Sequence, residues 1–494
     1  MWLLLLLLTL SIITYILIKR TVTSVTHTPA WLLWLVVMTP PIAWTVWYMV
    51  MDEEKSIPLV WIILPLFICF ITYGWLISIG RILTENQDSQ NYSLFPNLGK
   101  KIKTLENPVF IRPITATEEQ SLRNCFPWGV YYLQNLDYRP QAILCRGKLR
   151  IAPEKAYQSI KTNIERVFGD RFLILFQESL QGQPFFALVT NPWAKSQHKE
   201  PEQPTTRPLF ALGLLLLTLL TTTIIGTEVA GISVEQWQEN LRLLLNGLPY
   251  SLGVIIILGI HELSHYLTAI RYQVITTLPY FIPIPFFLGT FGAFIQIKSP
   301  IPHRQALFDV GIAGPLGGFM VTVPILLWGL SLSEVVPLVE ESNLLSLQAF
   351  DPRGSFLFAI FAKLVFGSSF IAEKAIHLHP LAIAGYVGLI ITALNLMPVG
   401  QLDGGHIVHG MFGQRAAIII GQFTRLFVLA LGIIRQEFLL WAILLFFMPT
   451  SEQTALNDVT ELDDRRDILG LFSLALLIMI LLPLPGTLAQ WLNL

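Results

Sequence analysis

The chain has 494 residues, of which 53% are hydrophobic and 13% charged, and its formal net charge is −1. Soluble domains carry about 25% charged residues, so this composition excludes an ordinary soluble protein and predicts a polytopic membrane protein. The near-neutral charge gives no basis for a nucleic-acid partner. The three cysteines form no C-x-x-C pair, which excludes a disulfide framework and a thiolate zinc site.

Residues 1–80 are predicted to hold three membrane-spanning helices, at about 2–18, 30–50 and 58–80. The first run resembles the core of a signal peptide, but its basic flank, Lys19 and Arg20, follows it. We therefore expect a retained helix whose N-terminus lies outside.

Residues 81–208 carry 29 of the chain's 65 formal charges and are predicted to be a small soluble α+β domain with a linker back to the membrane. Two helices are expected, at Thr117–Asn124 with Thr117 as the N-cap and at Pro153–Phe168. The predicted strands are Trp128–Leu136, Gln141–Cys145, Phe172–Gln177 and Pro184–Val189. The linker is Asn191–Pro208, which is rich in proline and polar residues.

Residues 209–450 form the predicted membrane core, and residues 451–494 an acidic loop with a C-terminal helix. The expected spans are 209–226, 247–270, 306–330, 380–400, 415–433, 437–449 and 468–492, which brings the total to about eight to ten. The stretch 354–370 is predicted to be interfacial or re-entrant because Lys363 interrupts it. Four small residues, Gly311, Gly314, Gly317 and Gly318, are predicted to permit close helix packing.

Basic residues indicate the orientation of the chain. Lys19, Arg20 and Arg81 follow the first and third spans, whereas the acidic Asp52–Glu54 follows the second. The positive-inside rule then places residues 81–208 and the C-terminal end of the 247–270 span on the cytoplasmic side.

A short polar motif near the end of the 247–270 span contains the candidate catalytic and metal-binding residues. It is His261-Glu262-Leu263-Ser264-His265, in a run that is otherwise apolar. On a helix, histidines four apart lie about 5–6 Å from one another on one face, a spacing that suits two Zn–N bonds of about 2.0–2.1 Å. H-E-x-x-H is the signature of zinc metalloproteases, in which the glutamate is the general base.

A catalytic zinc needs a third protein ligand. Asp403 is a lone carboxylate at the end of the 380–400 span, after the helix breakers Pro398 and Gly400. One interpretation is a solvated residue of a surface loop, and the other is the missing ligand. The second is favoured because His261 and His265 are predicted in the same half of the membrane.

The motifs together resemble the site-2 protease family of intramembrane zinc metalloproteases, in its cyanobacterial and chloroplast branch. The resemblance covers about residues 105–470 and rests on His261–His265, Gly289–Phe294, Lys298–Pro302, Ala313–Leu316, Asn395–Pro398, Gly400–Gly405, Cys145–Arg150 and Phe168–Asp170. It implies a site-2-protease-like helical core with a re-entrant β-hairpin at 278–297. It also implies a Zn²⁺ cofactor held by His261, His265 and Asp403, with Glu262 activating water and Asn395 assisting near the scissile carbonyl.

The function that follows is zinc-dependent cleavage of transmembrane segments of other proteins in the bilayer. Two alternatives remain open: a non-proteolytic membrane scaffold or chaperone, and a metal or proton transporter built on the His/Asp cluster. The resemblance implies a multi-pass protein of a cyanobacterial plasma or thylakoid membrane, or of a chloroplast membrane. Transmembrane proteins would be its partners, and homo-oligomerisation is left open.

Overall fold

The computed structural model describes residues 28–50, 114–139, 142–179, 182–191, 194, 208–285, 288–337, 354–367, 374–434, 438–448 and 454–491, with single positions between 11 and 76. The predicted spans 2–18 and 58–80 and most of the 191–208 linker lie outside these residues. The chain divides into two compact units, Met1–Val109 and Phe110–Leu494.

The first unit contains helix α1, Ala30–Val50, at the position predicted for the second span. The helix is strongly apolar and contains Pro40 and Pro41 in its interior. Its stretch Ala30–Trp47 is long and apolar enough to cross a membrane.

In the second unit, residues 114–191 form an α+β module. Its elements are α2 (Ala116–Asn124), β1 (Tyr131–Arg139), β2 (Ala142–Leu149), α3 (Pro153–Phe168), β3 (Phe172–Glu178) and β4 (Pro184–Thr190). The four strands pair in the order β1-β2-β4-β3, and every pairing is antiparallel. Helix α3 starts with Pro153 and ends at Phe168, where Gly169 (φ +61°) caps it, and its bounds are those predicted.

Aromatic side chains fill the core of this module. Phe176 and Phe186 stack with their ring centroids 4.2 Å apart, and Tyr131 meets Phe186 edge-on at 5.1 Å. The predicted N-cap Thr117 is wrong, because Thr115 caps α2 and forms a capping box with Glu118. In that box each side chain binds the other residue's backbone N–H, so two free amide donors are satisfied.

The remaining helices of the second unit are mostly apolar. They are α4 (Pro208–Val229), α5 (Val234–Glu239), a 3₁₀ turn (Leu241–Gly247), α6 (Leu248–Arg271), α7 (Arg304–Ser331), α8 (Phe356–Phe366), α9 (Pro380–Leu396), α10 (Asp403–Ile434), α11 (Leu439–Phe447), α12 (Asp464–Leu481) and α13 (Gly486–Trp491). Non-helical backbone at Gly413 breaks α10 into two segments.

Five helices among the described residues are long and apolar enough to span a membrane: Ala30–Trp47, Pro208–Val229, Leu241–Arg271, Arg304–Ser331 and Asp403–Gly432. Helices α8 and α9 are apolar but shorter. The predicted single helix at 468–492 is wrong: it is split into α12 and α13, and Pro483 and Pro485 explain the break because proline ends or kinks a helix. The run 437–449 contributes only the nine-residue α11.

Helices α6, α7 and α9 pack around one buried apolar core. The glycines of α7 allow this packing, as predicted, because a Cβ at Gly314, Gly317 or Gly318 would lie against side chains of α6. Gly311 faces His406 of α10 in the same way.

Two small hairpins complete the unit. Strands β5 (Tyr280–Pro283) and β6 (Thr290–Phe294) pair between α6 and α7, and the pairing continues through Thr276 and Ile297. Strands β7 (Glu334–Pro337) and β8 (Lys374–His377) pair beyond α7.

Candidate active site

Helix α6 presents three polar side chains to the protein interior. His261, Glu262 and His265 are only 3–7% exposed, whereas the neighbouring Leu263 is 40% exposed. The helical period places the two histidines on one face, and their Nε2 atoms lie 3.1 Å apart. The geometry expected from the H-E-x-x-H spacing is therefore present.

Asp403 reaches the same place from the first turn of α10. Helix α9 ends at Leu396, and a tight turn containing Pro398 leads into the new helix at Asp403. Gly404 allows the close approach of the two helices, because a Cβ there would lie 2.5 Å from the Met397 carbonyl oxygen and nearer still to that of Leu396. The aspartate therefore starts a helix packed against α9, and does not belong to a solvated loop.

The donor atoms of these residues form a small triangle. Asp403 Oδ2 lies 3.4 Å from His261 Nε2 and 3.3 Å from His265 Nε2, and the third side is the 3.1 Å between the histidines. Ligands at about 2.0–2.1 Å in a tetrahedral site are about 3.3–3.4 Å apart. The donor set and its spacing fit zinc, with one coordination position left for water or substrate.

Charge balance supports the same conclusion. Asp403 and Glu262 are two carboxylates in one buried site, and within the described residues neither is paired with lysine or arginine. Burying uncompensated negative charge is costly. A dication between neutral imidazoles and Asp403 would offset that cost.

Helix α7 fixes the orientation of the His265 ring and leaves space for both histidine rings. The Nδ1 atom of His265 lies 2.7 Å from the Val310 carbonyl oxygen, to which it donates, so Nε2 is left to face Asp403. A hydrogen bond from the second ring nitrogen sets the tautomer of a metal-binding histidine. Gly314 and Gly318 give the two rings the space they occupy.

The three donors open onto a cavity of about 260 Å³. Asn395, from the last turn of α9, lies at its wall with Nδ2 3.3 Å from His261 Nε2. The segment that follows β6 forms another wall, where Ile295 lines the same cavity as Glu262. The 278–297 segment thus borders the cavity into which the glutamate faces.

All five residues proposed from the sequence, His261, Glu262, His265, Asn395 and Asp403, meet in this cavity. Sequence reasoning missed the Val310 carbonyl, for which a side-chain pattern offers no signal.

Sequence reasoning also left His406 and His409 out of the site, because histidines near a helix break are more often loop residues, but both lie on α10. His406 lines the cavity and His409 is fully buried.

Comparison with known proteins places the site in context. Residues 249–435 match the model of Peptidase family M50. The chain is 31% identical to "Probable zinc metalloprotease EGY1, chloroplastic" of Arabidopsis thaliana over 71% of its own length and 67% of that protein. It is 30% identical to "Probable zinc metalloprotease EGY2, chloroplastic" of the same plant (73% and 63% covered) and to the EGY1 protein of Oryza sativa subsp. japonica (71% and 64%). The chain thus spans about two thirds of the length of these relatives.

Proposed function

Because the chain belongs to peptidase family M50, we propose that it is a zinc-dependent endopeptidase that cuts membrane-spanning segments of other proteins inside the bilayer. The observation that carries this proposal is the His261, His265 and Asp403 triangle with Glu262 beside it. A transporter cluster would have no need of a base next to a ligand, so the transporter alternative is not favoured.

In this proposal His261, His265 and Asp403 hold the zinc. Zinc bound there would polarise the scissile carbonyl and lower the pKa of a coordinated water to about 7. Glu262 accepts a proton from the attacking water and delivers it to the leaving nitrogen as the C–N bond breaks. The Asn395 amide, beside the His261 ligand atom, donates a hydrogen bond to the carbonyl oxygen as negative charge develops there.

The hairpin is proposed to receive the substrate. A helix must unwind before its peptide bonds can be attacked, and an unwound segment in the membrane needs partners for its backbone groups. The edge of β6 and its continuation to Ile297 line the cavity. An extended substrate could pair with that edge through main-chain hydrogen bonds, with little demand on its sequence.

We further propose that the α+β module is a soluble domain on the cytoplasmic or stromal side, together with the site-bearing end of α6. The distribution of Lys19, Arg20 and Arg81 supports this side. The module contacts residues 301–304 through an intervening segment, and His303 packs against Tyr272 at the end of α6 with ring centroids 5.4 Å apart. The membrane is proposed to be that of a chloroplast or a cyanobacterium, in line with the chloroplastic names of the relatives.

The test is Glu262→Gln in detergent-solubilised full-length protein with a helical membrane peptide, with and without chelator. The amide has the shape of the carboxylate but cannot accept the proton, so cleavage should fall by about 10²–10⁴-fold while zinc stays bound. The matched control is Glu228→Gln, which changes an exposed carboxylate at the end of α4 and should cleave normally.

Two outcomes would contradict the proposal. Wild-type cleavage by Glu262→Gln would exclude the glutamate as the base. Full zinc content in a His261→Ala/His265→Ala protein, measured by elemental analysis, would exclude the ligand set. A comparison of membrane-protein fragments between cells with the wild type and with Glu262→Gln tests the scaffold alternative, which predicts identical fragments.

A further inference from the structure

One segment near the C-terminus joins the α+β module to the membrane core. This segment, Ala455–Asp458, is called the strap here. It lies between strand β3 and residues 301–304, which lead into α7, and its backbone bonds to both sides. The bonds are Phe176 N to Leu456 O (2.7 Å), Asp458 N to Phe176 O (2.9 Å), Leu456 N to Ile301 O (2.9 Å), Asn457 N to Pro302 O (3.1 Å) and Arg304 N to Asn457 O (3.0 Å).

The strap also reaches α10 through a buried side-chain pair. His409 Nε2 lies 2.9 and 3.0 Å from the two carboxylate oxygens of Asp458 and donates to them. His409 is 0% and Asp458 6% exposed. A buried carboxylate or imidazole without its partner is costly, so this pair fixes where the strap meets the helix.

The part of α10 that contains His409 is the part that begins with Asp403. This segment, 403–412, ends at Gly413, whose φ of +80° breaks the helix. Near that end the buried Arg304 guanidinium donates to the carbonyls of Gly410 (2.7 Å) and Met411 (3.0 Å). A cation at a helix C-terminus is favourable because the helix dipole is negative there.

The segment 403–412 is therefore held at both ends. Gly404 presses against the end of α9 at one end, and Arg304 and His409 fix the other. Arg304 starts α7, the helix whose Val310 carbonyl orients His265. A displacement of the strap would thus act on both α7 and α10, the two helices that surround the histidines of α6.

We propose that His409 and Asp458 are positioning residues for Asp403, and that the strap relays the docking of the α+β module to the metal site. This inference rests on the proposed function, in which Asp403 is a zinc ligand. The physical reason is that metal–ligand bond lengths vary by only about 0.2 Å. A small tilt of segment 403–412 would therefore move the Asp403 carboxylate too far from the metal to bind it. The module then controls the metal site without contributing a residue to it.

The test uses full-length protein loaded with Co²⁺, which reports ligand geometry through its visible absorption bands. His409→Leu keeps an apolar side chain but cannot bind Asp458, and should weaken Co²⁺ binding by about 10–100-fold, the range for residues that support a ligand, and change the spectrum. His409→Gln can place an amide N–H near the position of Nε2 and should restore both. An altered overall stability alone would not give this rescue.

A second arm tests the relay. Gln177 Nε2 donates to the Ala455 carbonyl at 2.9 Å, so Gln177→Ala loosens the module from the strap without touching α10. It should weaken Co²⁺ binding in the wild type and have a much smaller effect in the His409→Leu background. Arg123→Gln, which removes an exposed ion pair of the same module, is the control and should change nothing.

The outcomes separate the two levels of the proposal. If wild-type protein binds no Co²⁺, the proposed metal site fails and this inference fails with it. If the wild type binds Co²⁺ but His409→Leu leaves affinity and spectrum unchanged, the positioning role is wrong. If Gln177→Ala has the same effect in both backgrounds, the relay through His409 is wrong.

Discussion

The substitution Gly314→Ala should remove the metal from the site although Gly314 carries no functional group. Gly314 lies on α7 against the ring of His265. A Cβ built there would be 2.5 Å from both Cδ2 and Cε1 of His265, and closer still to Nε2. The new methyl group would therefore occupy the space of the atom that is proposed to bind zinc.

The size of the effect follows from these distances. Nonbonded carbon atoms pack at about 3.5–4.0 Å, so the ring or the helix must move by at least about 1 Å. That is about five times the 0.2 Å tolerance of a metal–ligand bond. We expect zinc affinity to fall by at least about 100-fold, the upper end of the range for residues outside the ligand set, and stability to fall by about 1–3 kcal/mol from overpacking.

The assay is zinc content of the purified full-length protein, measured by elemental analysis after dialysis against graded chelator, together with thermal unfolding. Gly317→Ala with Ser264→Gly is the matched control. A Cβ at Gly317 meets the Ser264 side chain, and without that side chain the nearest neighbour is the Ile260 carbonyl oxygen at 3.7 Å. The double variant should keep its zinc. One zinc per chain at wild-type affinity in Gly314→Ala would refute the reasoning.

Two further predictions concern the α+β module. Thr162→Cys places a thiol at an exposed position of α3, and an impermeant thiol reagent should label it in inverted vesicles but not in intact cells. The unsubstituted chain gives the background labelling. Labelling in intact cells would show that the orientation is the reverse of the one proposed. Cys145 should resist alkylation at pH 8 and react only after denaturation, because burial raises the pKa of its thiol well above the usual range and the nucleophilic thiolate is absent. Labelling of Cys145 in folded protein as fast as Thr162→Cys would contradict this.

Local signals in the sequence were enough for much of the fold. Pro153 and Gly169 mark the two ends of α3 because each has a backbone preference that suits its position. The capping box at Thr115 and Glu118 was also present in the sequence, and the T-x-x-E spacing should have been preferred to Thr117 as the cap. The break between α12 and α13 was likewise encoded by Pro483 and Pro485.

Long-range contacts could not be obtained in this way. The pairing of β3 with the strap joins residues about 280 positions apart, and no periodicity within either segment identifies the partner. The role of His409 could not be read from the sequence, because its partner, Asp458, lies 49 residues further along the chain. Of the site itself, the three residues of α6 followed from spacing, whereas Asp403 required an assumption about which helices come together.

The position of the strap has a consequence for biosynthesis. Strand β3 is made early, but Gln177 and its partner Ala455 are separated by 278 residues, which take roughly 14–56 s to synthesise at about 5–20 residues per second. During that interval the β3 side of the sheet is an open edge of the kind that invites aggregation, and segment 403–412, once made, lacks its Asp458 anchor. A nascent or truncated chain that ends before Asp458 would therefore contain every proposed zinc ligand. It would still lack the His409–Asp458 pair that is proposed to position Asp403. The proposed metal site would therefore gain its last support only when Asp458 has been synthesised and has paired with His409.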